Sequence, residues 1–202
     1  MTPIVVFDLG KVLVDFDYSI AAKKVAARST KHIENLHAVL GGSQVLLQLE
    51  SGLITREQFF NEVQKMTGFS GTADEFLSYF ADIFFSMPPM IELHASLRKK
   101  LIPTYIFSNT NDIAVEHIRR SFPFFSQFDG YVLSYEIRAM KPNAKIYEAL
   151  ETMSGRRGAD IFYIDDRPEN VEAGAARGWQ MVLHETFKKT YAALEIFLST
   201  KV

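Results

Sequence analysis

The chain opens with a run of four apolar residues at positions 4–7 (IVVF), which ends abruptly at Asp8. A short apolar run that is rich in β-branched residues is typical of a strand buried on both faces. A second run of this kind, at positions 161–164 (IFYI), ends at Asp165 and Asp166. The pattern therefore predicts two buried strands, each followed directly by carboxylates.

Residues 88–202 alternate between short apolar runs and segments of helical periodicity. The predicted strands are 104–107, 130–133, 161–164 and 180–183. The predicted helices lie near 90–100, 112–120, 143–153, 168–177 and 187–199. Such alternation favours a parallel sheet with helices on both faces. We therefore predict an α/β fold with a Rossmann-like core, to which the strand at 4–7 also belongs.

A different pattern fills residues 18 to about 86, where helix follows helix and no strand is predicted. Two capping-box patterns, a Thr followed three residues later by Gln or Glu, mark helix starts in this block: Thr55 with Gln58, and Thr72 with Glu75. Since strand one belongs to the sheet, the block is an insertion after it. We predict a core domain at 1–14 and 88–202, and a small all-helical cap domain at 15–87.

The composition of the 202 residues excludes several classes of function. The chain has no cysteine, which excludes disulfides, thiolate metal sites and a cysteine nucleophile. A net charge of −2 with dispersed basic residues gives no reason to expect a nucleic-acid partner. No apolar run approaches the roughly 20 residues of a membrane helix, and the N-terminus lacks the basic region of a signal peptide. We expect a cytoplasmic monomer or homodimer without a membrane partner.

Polar residues follow each strand that should be central in the sheet. Asp8 follows the first strand, Ser108 and Asn109 the second, Lys141 comes after the third, and Asp165 follows the fourth. Open α/β sheets bind ligands at these carboxyl ends. Converging carboxylates predict a hard divalent cation, Mg²⁺. Together with a hydroxyl and a cation, they are the parts that phosphoryl transfer requires.

Four motifs resemble those of the haloacid dehalogenase (HAD) superfamily of hydrolases, and they span the whole chain. They are FDLGKVL at 7–13, FSNT at 107–110, Lys141-Pro142, and YIDD at 163–166. The stretch ESGLIT at 50–55 is similar to one common in helical caps placed after strand one. The resemblance implies a member of the helical-cap subfamily.

The resemblance also implies how a nucleophile and a metal would be arranged. Asp8 would attack phosphorus and form an aspartyl-phosphate, which water then hydrolyses. Asp8, Asp165 and the backbone carbonyl of Gly10 would hold Mg²⁺. Asp166 and Asn170 would support these ligands from behind.

The remaining implied roles concern the phosphoryl group. Ser108 and the backbone N–H of Asn109 would bind its oxygens. Lys141 would neutralise Asp8 and the charge that develops during the reaction. Asp15, at the junction with the cap, is a further candidate for substrate binding.

Gly10 departs from the pattern of the superfamily, since most of its phosphatases carry an aspartate there as the general acid. General acid catalysis typically contributes about 10²–10⁴-fold, so its loss favours a substrate with a less basic leaving group, such as a sugar 1-phosphate. The segment from Asp8 to Asp17 resembles the α-D-glucose-1-phosphate phosphatase-like branch, which shares this glycine. A related hypothesis is that Asp15 or Asp17 supplies the proton when the cap closes.

Two alternatives remain beside a phosphatase of a small phosphorylated metabolite. One is a 2-haloacid dehalogenase, which needs the ester-forming aspartate but no Mg²⁺. Gly10 and the pair Asp165-Asp166 count against it, because that branch typically has an aromatic residue at the first position. The other alternative is a non-catalytic phosphate-binding or interaction protein, in which Gly10 marks the loss of activity.

Overall fold

The computed structural model describes residues 2–32 and 35–201. Its strands are β1 Ile4–Phe7, β2 Val14–Phe16, β3 Phe84–Ser86, β4 Thr104–Ser108, β5 Gly130–Leu133, β6 Ile161–Asp165 and β7 Gln180–Leu183. Its helices are α1 Tyr18–Ala26, α2 Leu36–Gly42, α3 Gln44–Glu50, α4 Arg56–Thr67, α5 Ala73–Ala81, α6 Pro88–Lys99, α7 Asp112–Ser121, α8 Ser134–Ile137, α9 Ala144–Ser154, α10 Pro168–Ala175 and α11 Phe187–Ser199. Among these helices, none is long and apolar enough to cross a bilayer.

The central sheet has five parallel strands in the order β5-β4-β1-β6-β7. Strand β1 lies in the middle and pairs with both β4 and β6. The chain builds one half of the sheet outward from β1 and then returns to build the other half. The carboxyl end of β1 is therefore at the switch point of the topology, where open α/β sheets form their ligand crevice.

Each face of the sheet has its own apolar core, because successive side chains of a strand point to opposite faces. Val5 and Phe7 pack with helices α6, α7 and α11 on one face. Ile4 and Val6 pack with helix α9 and Trp179 on the other. The predicted parallel sheet with helices on both faces is thus confirmed.

Helices α1 to α5, which we call the cap, pack around a third core that is rich in phenylalanine. The rings of Phe59 and Phe80 meet edge to face, with their centroids 5.0 Å apart. Both predicted capping boxes form: the Thr55 hydroxyl accepts from the Gln58 N–H at the start of α4, and Thr72 does the same at α5. The α-helical insertion after strand one is therefore present.

The expectation of no strand between 18 and 86 was wrong. Strand β3 pairs antiparallel with β2, and the two form a short ribbon between the sheet and the cap. Each strand has only three residues, which is too short for an alternating pattern to show in the sequence. Their pairing also joins segments about 70 positions apart, which no local pattern reports. The domain boundaries at 15–87 stay a prediction.

Three contacts fix the cap to the core on the side away from this ribbon. Arg56 of α4 pairs with Asp112 at 2.7 Å and with Glu116 at 2.9 Å, both on α7. The Ser134 hydroxyl lies 2.6 Å from the Glu50 carbonyl oxygen, to which it can donate. The third contact is the close approach of Gly52, just after α3, to the Tyr135 backbone, where a Cβ on Gly52 would stand 2.2 Å from the Tyr135 carbonyl oxygen.

Candidate active site

The carboxylates predicted to converge do meet at the carboxyl end of the sheet. Asp8 follows β1, Asp165 ends the neighbouring β6, and both are buried. The backbone N–H of Asp8 donates to the Ile164 carbonyl at 2.9 Å, which continues the pairing of the two strands. One oxygen each from Asp8, Asp165 and Asp166 lie within 4.8 Å of one another. Oxygen atoms so grouped are the ligands that Mg²⁺ prefers.

Lys141 binds both strand-tip carboxylates and is itself fully enclosed. Its Nζ lies 3.0 Å from Asp8 Oδ1 and 2.7 Å from Asp165 Oδ2. Nζ also donates to the Phe107 carbonyl at 2.9 Å and to the Tyr163 hydroxyl at 3.0 Å. The Tyr163 hydroxyl donates in turn to Asp165.

Asn109 holds Lys141 in place through the backbone. The Lys141 N–H donates to Asn109 Oδ1 at 2.7 Å, and Asn109 Nδ2 donates to the Lys141 carbonyl at 3.0 Å. This reciprocal pair ties the loop after β5 to the tip of β4. Ser108, the last residue of β4, is buried beside it with its hydroxyl 3.3 Å from the Asn109 carbonyl oxygen. The predicted phosphate-binding roles of Ser108 and of the Asn109 N–H stay predictions.

The charge balance of this group is negative. The pKa of Asp8 is raised to about 7. Burial is the largest cause, Lys141 opposes the shift, and the charges of Asp165 and Asp166 add to it. Burial alone would lower the pKa of Lys141, but the charges of Asp8 and Asp165 outweigh it and raise that pKa. One ammonium thus faces two buried carboxylates and a third half-buried one. A divalent cation would compensate the excess, so the donor set fits Mg²⁺.

Asn170 supports Asp165 from behind, as predicted for this position. Its Nδ2 lies 3.1 Å and 3.2 Å from the two Asp165 oxygens. The Arg167 N–H donates to Asp165 Oδ1 at 2.8 Å. The Tyr147 hydroxyl in turn donates to the Asn170 carbonyl at 2.8 Å. The Asp166 carboxylate joins those of Asp8 and Asp165 in the cluster of possible metal ligands, and its predicted supporting role stays a prediction.

Gly10 lies under an aromatic ring. A Cβ atom added to Gly10 would stand 3.0 Å from Cε1 of Phe16, the last residue of β2. The next residue, Lys11, has a φ of 58° and donates its N–H to the Val14 carbonyl at 2.7 Å. This turn folds the chain back so that β2 passes over the loop that follows Asp8.

Asp15 and Asp17 are not brought to the site. Asp15 forms an ion pair with Lys11, and its side chain is 52% exposed. Asp17 caps helix α1, with its carboxylate accepting from the Ser19 N–H at 2.8 Å. Neither residue lines the cleft between sheet and cap. The predicted role of Asp15 in substrate binding therefore gains no geometric support.

The cleft above Asp8 has a volume of about 310 Å³. Asp8, Asn109 and Lys141 form its floor, while Leu46 and Glu50 of α3 line the cap side. The sequence pointed to Glu50 only as part of the cap stretch, and it did not single out Tyr163. The two-residue spacing of Tyr163 and Asp165 was the available signal, because it places both on one face of β6.

Comparison with known proteins identifies the family. The family model for haloacid dehalogenase-like hydrolases matches residues 2–178. The chain belongs to this family. A D-ribitol-5-phosphate phosphatase from Bacteroides thetaiotaomicron is 23% identical over 190 residues, which are 87% of this chain and 88% of that relative.

Solved structures of HAD enzymes share the fold. A HAD family enzyme from Bacteroides thetaiotaomicron superposes with a TM-score of 0.80 at 25% identity, over 90% of this chain and 92% of that one. A magnesium complex of such an enzyme gives 0.79 at 25% identity, over 91% and 93% of the chains. A predicted HAD-like family hydrolase from Porphyromonas gingivalis gives 0.80 at 23% identity and covers 98% of each chain. The predicted HAD hydrolase is confirmed, whereas the glucose-1-phosphate branch stays a prediction.

Proposed function

We propose that this HAD hydrolase is a Mg²⁺-dependent phosphatase of a small phosphorylated metabolite, acting through an aspartyl-phosphate on Asp8. The observation that carries the proposal is the buried group of Asp8, Lys141 and Asp165, with Nζ–oxygen distances of 3.0 Å and 2.7 Å. Burying two carboxylates against one ammonium is unfavourable for folding, so a catalytic role explains the arrangement better than a structural one. The phosphatase and the magnesium complex among the relatives support the same assignment.

In the first step, an Asp8 oxygen attacks phosphorus and the bond from phosphorus to the leaving oxygen breaks. Lys141 holds the Asp8 carboxylate in one orientation and offsets the charge that develops near it. The Ser108 hydroxyl and the Asn109 N–H bind oxygens of the transferred group. Asp8, Asp165 and the Gly10 carbonyl would hold Mg²⁺, which would supply positive charge to the phosphoryl oxygens. In the second step, water attacks phosphorus and releases Asp8.

The size and lining of the cleft favour a phosphorylated sugar or sugar alcohol. A volume of about 310 Å³ lies at the lower end of the range for small-molecule pockets. It accommodates a five- or six-carbon polyol with its phosphate at Asp8. Sugar 1-phosphates and sugar-alcohol phosphates, such as the substrate named for the Bacteroides relative, are the two candidate types.

A phosphate-ester panel with wild type and Asp8→Asn tests the proposal. Glucose 1-phosphate, glucose 6-phosphate and ribitol 5-phosphate are compared with Mg²⁺ and with excess EDTA. Wild type is expected to release phosphate only with Mg²⁺, and Asp8→Asn to release none. Asp74→Asn, which changes an exposed aspartate of the cap, is the matched control and should retain full activity.

Two results would contradict the proposal and separate the alternatives. Release of halide from 2-haloacids in excess EDTA would indicate a dehalogenase. A Mg²⁺-dependent rise in melting temperature without turnover of any ester would indicate a binding protein. Beryllium fluoride, which binds a nucleophilic aspartate as a phosphoryl mimic, or intact-protein mass spectrometry of the enzyme quenched during turnover, tests the nucleophile itself, since either adduct should be absent from Asp8→Asn.

A further inference from the structure

The place of a general acid at position 10 is filled by another side chain. Because a Cβ on Gly10 would stand 3.0 Å from Cε1 of Phe16, a larger side chain at position 10 would require this ring to shift. Phe16 is held by its pairing with Phe84 in the ribbon, and the Lys11 ammonium lies 4.7 Å from its ring centroid. The proton for the leaving group must therefore come from elsewhere in the cleft.

Glu50 is the carboxyl group that the cap brings over the site. It is the last residue of α3 and lines both the cleft and a smaller cavity of about 70 Å³ beside it, which Ser108 also lines. The Ser134 hydroxyl, 2.6 Å from the Glu50 carbonyl, fixes this helix end to the core. Asp8 lies on the floor of the same cleft. A phosphate ester seated on Asp8 would thus extend its leaving group toward Glu50.

The surroundings of Glu50 favour a protonated carboxyl. Burial raises its pKa to about 7, and the positive charge of Arg167 across the cleft opposes the shift only in part. No hydrogen bond from residues 2–32 or 35–201 contributes to holding its carboxylate in the ionised form. Groups with a pKa near the operating pH are the most effective general acids.

Other proton donors near the cleft are committed or unsuited. Lys141 binds both strand-tip carboxylates and a carbonyl. Burial raises the pKa of Tyr18 above its ordinary value, which makes it a weaker acid. Lys11 lines the cleft, but its ammonium is paired with Asp15. Glu50 remains as the free carboxyl at the leaving-group side.

We infer that Glu50 is the general acid of the reaction and takes the role that Gly10 lacks. The inference rests on the proposed phosphatase activity. As the bond from phosphorus to the leaving oxygen breaks, the Glu50 carboxylic acid gives its proton to that oxygen, and a neutral alcohol departs. The resulting carboxylate then accepts a proton from the water that attacks the aspartyl-phosphate. This restores both the Glu50 carboxylic acid and the Asp8 carboxylate.

The leaving group provides the test, because an alkoxide needs a proton to depart and a nitrophenolate does not. Single-turnover release of the leaving group is measured for ribitol 5-phosphate, or the best alkyl ester of the panel, and for p-nitrophenyl phosphate. Glu50→Gln keeps the size of the side chain but removes the acid. We expect it to slow alcohol release by about 10²–10³-fold and nitrophenol release by less than about 5-fold. Glu57→Gln, an exposed glutamate of the same cap, is the matched control and should change neither rate.

The outcomes separate this inference from the proposed function. With p-nitrophenyl phosphate, Glu50→Gln should show a burst of nitrophenol followed by slow turnover, since the second step then lacks its base. Equal slowing of both substrates, or no slowing, would overturn the role of Glu50 while leaving the phosphatase intact. If wild type releases no leaving group, or Asp8→Asn releases it as fast as wild type, the proposed function itself fails.

Discussion

Replacing Asp8 by Asn should stabilise the metal-free protein at alkaline pH while abolishing activity. Burial raises the pKa of Asp8 from its ordinary value of 3.8 to about 7. A folded-state pKa above the unfolded value means that folding takes up a proton between these two pH values. The stability of wild type therefore declines as the pH rises from about 4 to about 7, and it is flat above. Asparagine carries no charge and escapes this decline.

The magnitude follows from the part of this window that the experiment covers. Between about pH 5 and about pH 8, unfolding of wild type releases the Asp8 proton over about two pH units. Each of these units lowers the free energy of unfolding by about 1.36 kcal/mol. The difference in unfolding free energy between Asp8→Asn and wild type should thus grow by about 3 kcal/mol in favour of the variant. The other ionisable groups are the same in both proteins, so their titration cancels from the difference in unfolding free energy.

Urea denaturation in EDTA at both pH values, monitored by circular dichroism, measures this difference. Saturating Mg²⁺ should abolish the advantage of the variant at alkaline pH, because the ion binds the carboxylate of wild type and compensates its charge. A constant difference at the two pH values would refute the reasoning. It would mean that Asp8 is ionised throughout this pH range. The charge of Lys141 would then lower the pKa of Asp8 more than burial raises it.

Two pairs of substitutions test the backbone of the structure. Gly52 has a φ of 64°, and a Cβ there would stand 2.2 Å from the Tyr135 carbonyl oxygen; Gly52→Ala should cost about 2–4 kcal/mol of unfolding free energy. Gly155 has the same φ with open space around it, so Gly155→Ala should cost only about 1 kcal/mol, and equal losses in urea titrations would refute the clash. Leu101 is 85% exposed with a φ of 57°, and Leu101→Gly should stabilise the protein by about 0.5–1 kcal/mol. Leu53→Gly, at an exposed position without positive φ, should destabilise it; a loss in both would contradict the strain at Leu101.

The sheet was predictable because its strands are short apolar runs bounded by polar residues. The runs at 4–7, 130–133 and 180–183 coincide with β1, β5 and β7. Burial on both faces leaves such a strand few alternatives. The motifs at the strand tips then placed Asp8 and Asp165 together, since parallel strands end at one edge.

The ribbon and the cap side of the cleft were not predictable in the same way. Pairing of β2 with β3 depends on where the cap returns the chain, which no local pattern encodes. The position of Glu50 at the cleft depends on tertiary contacts of α3 with the core, such as that of its carbonyl with Ser134. The proximity of Asp15 to Gly10 in sequence suggested a role in the site, yet the turn at Lys11 directs it toward solvent.

The ribbon of β2 and β3 gives any rotation of the cap a single hinge. The chain crosses between sheet and cap only twice, and both crossings run side by side, joined by the pairs Val14–Ser86, Asp15–Phe85 and Phe16–Phe84. A rotation of the cap about this axis would move Phe16, whose ring lies against Gly10. Opening the cleft to substrate would then also expose the loop after Asp8 to solvent.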